Sequence, residues 1–338
     1  MYKNYNFYVI YLFMTLTNIY AFLSASMVMN WLIMEMNTSM FIMVSLTISK
    51  NNKFTKELIN YMIIQIMSSL MLLLTILDLN YLIINYNISM IIYNTMILIK
   101  LGLWPFHNWF ILIMNSYYIN WQSTFLLSTV LKIIPMILLN KFKLNLIFYM
   151  TMFMSPIMAS ILMLKLNKLS SFIACSSILN TSWMLNLMFI NENLMILYMM
   201  FYFLLTLNIC YLGNFLQMNY LDYSFIKLKN KYKIMFMLLT LSYSGLPPMT
   251  GFMYKWYSLF NWTNYNMIML NMNFIIQSLI ISYYLMLFFL SIYKKNKPYF
   301  YILSSTKINL PKNLFMLINM SLWLPFLWMI FIYEKMIN

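Results

Sequence analysis

Four ionisable side chains stand inside stretches that are otherwise apolar: Glu35, Lys100, Lys132 and Lys255. Amines and a carboxylate held away from water can do one kind of chemistry without a cofactor, which is to hold and release protons. Burial disfavours the charged form of a lysine, and a carboxylate close by restores it. Each such group costs ~2.5–3.5 kcal/mol on membrane-insertion scales, roughly 10–14 kcal/mol for the four, and residues of this kind inside a membrane serve function by default. A lysine near a helix end escapes by extending its head to the interface. Lys132 and Glu35 lie too centrally for that, and Lys100 and Lys255 lie beside predicted helix breaks.

The neighbours of these four are polar at helical spacing. Thr38 and Ser39 follow Glu35 by three and four residues, Ser128 and Thr129 precede Lys132 by four and three, and Gln65 shares a face with Ser68 and Ser69. Ser177, Asn180 and Thr181 form another such set, and Ser244, Gly251 and Lys255 are separated by seven and four. Turned inward, these stripes would hold water and pass protons, with Ser128, Thr129, Asn180 and His107 as water-wire partners. The plainer role of a single Ser or Thr is hydrogen bonding between helices. His107 reads equally well as a wire partner or as a packed, hydrogen-bonded side chain, because neutral imidazole serves both.

Two related sequences interrupt the apolar runs: Gly102-Leu103-Trp104-Pro105, just after Lys100, and Gly245-Leu246-Pro247-Pro248, ahead of Lys255. Proline removes a helix hydrogen bond and glycine loosens the turn, so Gly102, Pro105, Gly245, Pro247 and Pro248 mark helix breaks. Broken helices at corresponding places in two oppositely oriented halves point to an inverted-repeat transporter with its ionisable site beside the break.

The elements that position these groups are membrane spans. The chain is 63% hydrophobic and 8% charged with a mean hydropathy of +0.76, more apolar side chains than a soluble core of 338 residues can hide. Eleven stretches are long enough to cross a ~30 Å hydrocarbon core as helices. They run over 7–24, 26–47, 58–79, 88–107, 108–139, 143–164, 169–190, 194–217, 234–260, 267–293 and 314–334, making residues 1–338 one all-α polytopic membrane domain. The fifth and ninth are over-long, which implies a break or a strong tilt. On this map 15 of the 21 lysines fall in loops on one face and three on the other. Such a bias is the positive-inside pattern, with the amino terminus on the matrix or cytoplasmic side and the carboxyl terminus opposite.

The net charge of +15 is therefore mostly topology, and no continuous basic face suggests nucleic acid. Two cysteines and one histidine cannot by themselves hold an iron–sulfur cluster, a bis-histidine haem or a structural zinc, and none of the four glycines sits in a phosphate-binding motif. Arginine is absent, and methionine occurs 38 times among many Ile, Asn and Lys residues, as an AT-rich, organelle-encoded gene that reads AUA as Met would give. No cleaved leader is expected, and the first apolar run is read as retained.

The segments Lys100-Leu101-Gly102-Leu103-Trp104-Pro105-Phe106-His107-Asn108-Trp109 and Leu241-Ser242-Tyr243-Ser244-Gly245-Leu246-Pro247-Pro248-Met249-Thr250-Gly251-Phe252-Met253-Tyr254-Lys255-Trp256 resemble K-L-G-x-A-P-F-H-x-W and L-S-L-G-G-L-P-P-L-T-G-F-x-x-K-W. These belong to the NADH:ubiquinone oxidoreductase chain 2 family, the antiporter-like membrane subunits of respiratory complex I. In length and span order the resemblance covers the whole chain, and eleven spans match the animal form. Composition resembles an insect version.

The resemblance implies that Glu35 pairs with Lys100 on the first broken helix, that Lys132 is the central relay lysine and that Lys255 is the terminal one. Where relatives read S-S-I-x-H-x-G-W, this chain has Ser176-Ser177-Ile178-Leu179-Asn180-Thr181-Ser182-Trp183, leaving Asn180 rather than a histidine to order water. The Pro-Glu pair common after the histidine is replaced by Ile111-Leu112.

The function so implied is proton translocation through a buried Glu/Lys relay, as a subunit of a proton-translocating reductase with no redox chemistry on this chain. NADH, FMN, iron–sulfur clusters and ubiquinone are expected on other subunits. The implied partners are other membrane-arm subunits, including other antiporter-like chains, and membrane lipids, in the mitochondrial inner membrane. The alternatives are a stand-alone cation/proton antiporter and a structural membrane-arm subunit without its own proton path.

Overall fold

The computed structural model describes residues 2–24, 26–48, 52–81, 86–116, 124–141, 145–164, 169–215, 230–246, 249–264 and 268–295. The predicted span 314–334, most of the loop lysines, and Pro247 and Pro248 lie outside the described residues. Among the described residues every regular element is helical. The first five are α1 (Tyr2–Leu23), α2 (Met27–Ile48), α3 (Asn52–Tyr81), α4 (Tyr86–Leu101) and α5 (Asn108–Ser116). A π-helical turn (Leu126–Val130) leads into α6 (Leu131–Lys141), followed by α7 (Asn145–Leu164), α8 (Leu169–Ile190) and α9 (Glu192–Phe215). The last three are α10 (Asn230–Ser244), α11 (Thr250–Asn264) and α12 (Ile268–Lys295).

Among the described residues six helices are long and apolar enough to cross a membrane: α2, α3, α7, α8, α9 and α12. Their outward faces are apolar, as a bilayer requires. On α3, Ile59, Ile63, Met67, Leu70 and Leu74 are each about half exposed. Only 33% of Phe54–Leu79 is buried inside the chain, against 89% of Ser170–Ile190, which makes α8 the axis of the fold. It packs against α5, the π turn, α7, α9 and α11. An axial helix needs no polar stripe facing water, and the polar residues α8 does carry face other protein.

The helix limits depart from the predicted spans where the backbone is irregular. The predicted spans 88–107 and 108–139 become α4, an irregular stretch at 102–107, α5, and then the π turn running into α6. The predicted span 234–260 is two 15-residue helices, α10 and α11. Ser244, Gly251 and Lys255 therefore do not lie on one continuous helix. A hydropathy window averages across breaks as short as these, five residues at the second and six at the first.

The two breaks are built alike. Gly102 (φ 67°) and Gly245 (φ 74°) occupy the left-handed region, which a side chain disfavours and a glycine adopts freely. The Leu103 N–H reaches back five residues to the Leu98 carbonyl (3.3 Å), and the Leu246 N–H does the same to Leu241 (3.4 Å). Three residues further on, Phe106 N–H bonds Leu103 O and Met249 N–H bonds Leu246 O, both at 2.7 Å. The first pair of bonds is the 6→1 bond of a Schellman-type helix ending, which satisfies carbonyls that hydrocarbon would leave orphaned. Across the first break Trp109 adds a further donor, its indole N–H bonding the Ile99 carbonyl at 3.1 Å.

Gly251 opens α11 against the end of α10, where a Cβ would collide with the Ser242 carbonyl oxygen. Gly251→Val should therefore force α10 and α11 apart, costing ~1–3 kcal/mol of packing. A lowered thermal unfolding midpoint in detergent is expected, with Met269→Leu, on an 81% exposed side chain, leaving it unchanged.

Candidate functional site

Lys100 lies in the last turn of α4, where unpaired carbonyls at a helix C-terminus favour a cation. Its Nζ meets Glu35 Oε1 from α2 at 2.7 Å. The two ends differ in environment: the Lys100 side chain is 1% exposed and Glu35 27%. Glu35 is thus not sunk in the interior, as its central place in α2 suggested, but reaches the outer surface of the chain between Leu32 and Met36, which are 44% and 56% exposed. The reason is rotation: packing against α1, α3 and α6 fixes which stripe of α2 turns inward, and Glu35 falls at its rim.

Behind Lys100 lies a small cavity of about 10 Å³, room for one water, whose lining includes Lys100, Lys132, Thr38, Tyr61, Gln65 and Pro135. Gln65 is 4% exposed, and its Nε2 has no hydrogen-bond partner among the described residues. Two backbone features place Lys132 here. The π turn sends the Leu131 N–H back to the Leu126 carbonyl, and Asn18 from α1 caps the Val130 carbonyl at 3.3 Å. Pro135, lacking an N–H, frees the Leu131 carbonyl of its helix partner beside the same cavity.

From the cavity Lys132 turns toward α8. Its Nζ donates to Ser177 Oγ at 3.3 Å and stands 4.2 Å from the centre of the Phe110 ring. Among the described residues no carboxylate pairs with it. Ser177 sits within a cluster of buried polar side chains. The Tyr202 hydroxyl is turned to Ser177 and shares a hydrogen bond with the Tyr243 hydroxyl at 2.8 Å. Asn180 Nδ2 reaches the Tyr243 carbonyl at 3.5 Å, and the Tyr198 hydroxyl donates to Asn180 Oδ1 at 3.1 Å.

Lys255, on α11, folds back across the second break. Its Nζ donates to the Ser244 carbonyl at 2.7 Å, again the C-terminal end of a helix, and lies 5.6 Å from the Trp183 ring centre. A Cβ on Gly245 would stand 2.6 Å from this Nζ, so the glycine makes room for the amine as well as for the turn.

Residues 24–281 match the family described as "NADH:quinone oxidoreductase/Mrp antiporter, TM". The chain belongs to this family. It is 33% identical over 233 residues to NADH-ubiquinone oxidoreductase chain 2 of Locusta migratoria, covering 67% of each chain. It is 30% identical to the Rhipicephalus sanguineus chain of the same name, covering 86% of this chain and 90% of that one. The fold is similar to a chain of respiratory complex I from Thermus thermophilus, with a TM-score of 0.75 at 15% identity over 94% of this chain and 78% of that one.

In this family member the structure brings Glu35 to Lys100, Lys100 and Lys132 to one cavity, and Asn180 to the second break. The Ser128 and Thr129 hydroxyls both bond the Phe125 carbonyl, at 3.3 and 2.7 Å. The same holds for most of the predicted stripes. Thr38, Ser68, Ser69, Ser177, Thr181 and Ser244 each donate to a carbonyl three residues back. A hydroxyl surrounded by apolar side chains spends its proton on the nearest backbone acceptor, which keeps its oxygen available to accept. His107 is 5% exposed in the first break, and its Nδ1 has no hydrogen-bond partner among the described residues.

Sequence reasoning missed Gln65 as a cavity wall, and it missed Tyr198, Tyr202 and Tyr243 altogether. In a chain that is 19% aromatic a tyrosine attracts no notice. The available signal was the spacing of Tyr198 and Tyr202, four apart on one helix face.

Glu35→Gln leaves the Lys100 ammonium buried without its carboxylate, and Lys100→Gln leaves the Glu35 carboxylate without its ammonium. Each should cost ~3 kcal/mol, the lower end for a broken buried pair, since Glu35 retains some exposure. The double substitution should cost less than the two singles added, a coupling read from a double-mutant cycle of denaturation midpoints.

Proposed function

We propose that this chain is a proton-translocating membrane-arm subunit of NADH:ubiquinone oxidoreductase, moving protons through Glu35, Lys100, Lys132 and Lys255 under the drive of quinone reduction elsewhere in the complex. The observation that carries the reading is the shared cavity: Lys100 and Lys132 line one water-sized space, with Glu35 bonded on one side of it and Ser177 on the other.

While Glu35 holds Lys100, the ammonium is paired and keeps its proton. Separating the two leaves a charged amine in a low-dielectric interior, and Lys100 yields a proton through the cavity toward Lys132. Lys132 has the Ser177 oxygen and the Phe110 ring face around it and no carboxylate among the described residues, so it holds charge only in passing. Lys255 exchanges the proton with the far side, its ammonium steadied by the Ser244 carbonyl until release. Two helix endings with the same hydrogen bonds, each beside a lysine, support an antiporter-like inverted repeat across eleven crossings.

NADH, FMN, the iron–sulfur clusters and ubiquinone belong to other subunits in this reading. The chain sits in the mitochondrial inner membrane with its amino terminus on the matrix side, as the lysine bias indicates. Glu35 supports a subunit environment: a carboxylate 27% exposed within a membrane helix is covered by a neighbouring membrane-arm chain rather than by acyl tails.

Lys132→Met keeps the length of the side chain and removes its proton. Reconstituted complex carrying it should assemble and oxidise NADH yet pump fewer protons per NADH, the deficit being this subunit's whole share. Normal stoichiometry would discard the relay.

A further inference from the structure

The geometry points to the Tyr202–Tyr243 hydroxyl pair as the proton link between Lys132 and the second broken helix. This deepens the relay reading above and rests on it, by naming the groups that carry the proton where no lysine does.

The two rings lie almost parallel, 22° apart with centroids 5.4 Å from each other, and both residues are buried, at 4% and 2% exposure. Packing alone would be met by phenylalanine. Two hydroxyls in an apolar interior bring a desolvation cost that they offset by bonding each other at 2.8 Å. A phenolic hydroxyl both donates and accepts, so the pair can pass a proton along only if each end meets another polar group. Both ends do. Ser177, the acceptor of the Lys132 ammonium, lies near the Tyr202 hydroxyl, and Ser176 and Asn180 lie near that of Tyr243, so turning Ser177 from the Ala174 carbonyl completes the line.

The backbone supports the same assignment. Tyr243 stands two residues before Gly245, the place that Lys100 holds before Gly102, and the two glycines end their helices with matching bonds. The second break thus presents a hydroxyl where the first presents an amine. Its own lysine arrives from α11 and hangs on Ser244, the residue next to Tyr243. Asn180 and Tyr243 are two of the positions at which this chain departs from the segments it resembles, and they touch.

The transfer balances. Lys132 gives one proton to Ser177, the Ser177 hydroxyl proton passes to Tyr202, that of Tyr202 to Tyr243, and Tyr243 gives its own to the polar groups at the end of the second broken helix. Each hydroxyl ends with one proton, and Lys132 ends neutral. Rotation of the hydroxyls resets the line, with Ser177 returning to the Ala174 carbonyl it bonds at 2.8 Å.

The test is complex reconstituted in liposomes, carrying Tyr243→Phe, Tyr202→Phe, Lys132→Met, or Tyr243→Phe with Lys132→Met, and read as protons pumped per NADH oxidised. Each tyrosine variant keeps its ring and should lower the ratio as far as Lys132→Met does, and the double variant should go no lower. A purely structural pair would change assembly and thermal stability and leave the ratio intact. Wild-type stoichiometry in an assembled tyrosine variant, beside a deficit in Lys132→Met, overturns this inference alone. Wild-type stoichiometry in Lys132→Met as well overturns the relay too. A further fall in the double variant also overturns the link, since it would mean damage outside the Lys132 path. If Tyr243→Phe fails to assemble, Tyr202→Phe decides.

Discussion

A helix cut in two inside hydrocarbon leaves carbonyls with no water to bond, and a lysine placed there brings a cation with no water to solvate it. Each defect answers the other. Lys100 lies in the last turn of α4, and Lys255 donates to the carbonyl that ends α10. The partial negative charge at a helix C-terminus is the environment an ammonium needs, and it is available only where the helix stops. Each helix ending thus has a lysine beside it, held by Glu35 at the first and by a main-chain carbonyl at the second, and the Leu98 and Leu241 carbonyls are met by the same five-residue bond.

The rest of the packing serves these endings. α8 is almost wholly enclosed, so its Ser177 can meet Lys132 from α6 and its Asn180 the end of α10 without facing lipid. The hydroxyls on neighbouring helices donate mainly to their own backbones, which satisfies them without locking the helices together. Other cross-helix polar ties lie away from the lysines, as in the Asn273 amide bonding the Phe153 carbonyl at 2.7 Å and Gln277 meeting Ser160. Those bonds hold α7 to α12. At the outer end of the lysine line Glu35 emerges at the surface of the chain.

How much of this was legible follows from energy. The lysines stood out because a charge in a membrane costs several kcal/mol, and a cost of that size marks the sequence whatever the fold. The glycine breaks stood out because only glycine accepts the left-handed turn. Hydropathy could not resolve the π turn before Lys132 or the six residues between α4 and α5, since both are shorter than the stretch it averages. Nor could it single out Tyr202 and Tyr243 among so many aromatic residues, because a phenol in a core and a phenol in a proton path have the same composition.

The order of residues alone settled that this is an all-helical membrane chain with titratable groups beside two glycine-ended helices, because span length, charge cost and backbone sterics are local properties. Tertiary packing alone decided which groups meet. The rotation of α2 that puts Glu35 at the rim, the cavity between Lys100 and Lys132, and the contact between α9 and α10 that joins two tyrosines all arise between segments distant in the chain. Their relative rotation and depth are set by how whole helix faces fit together.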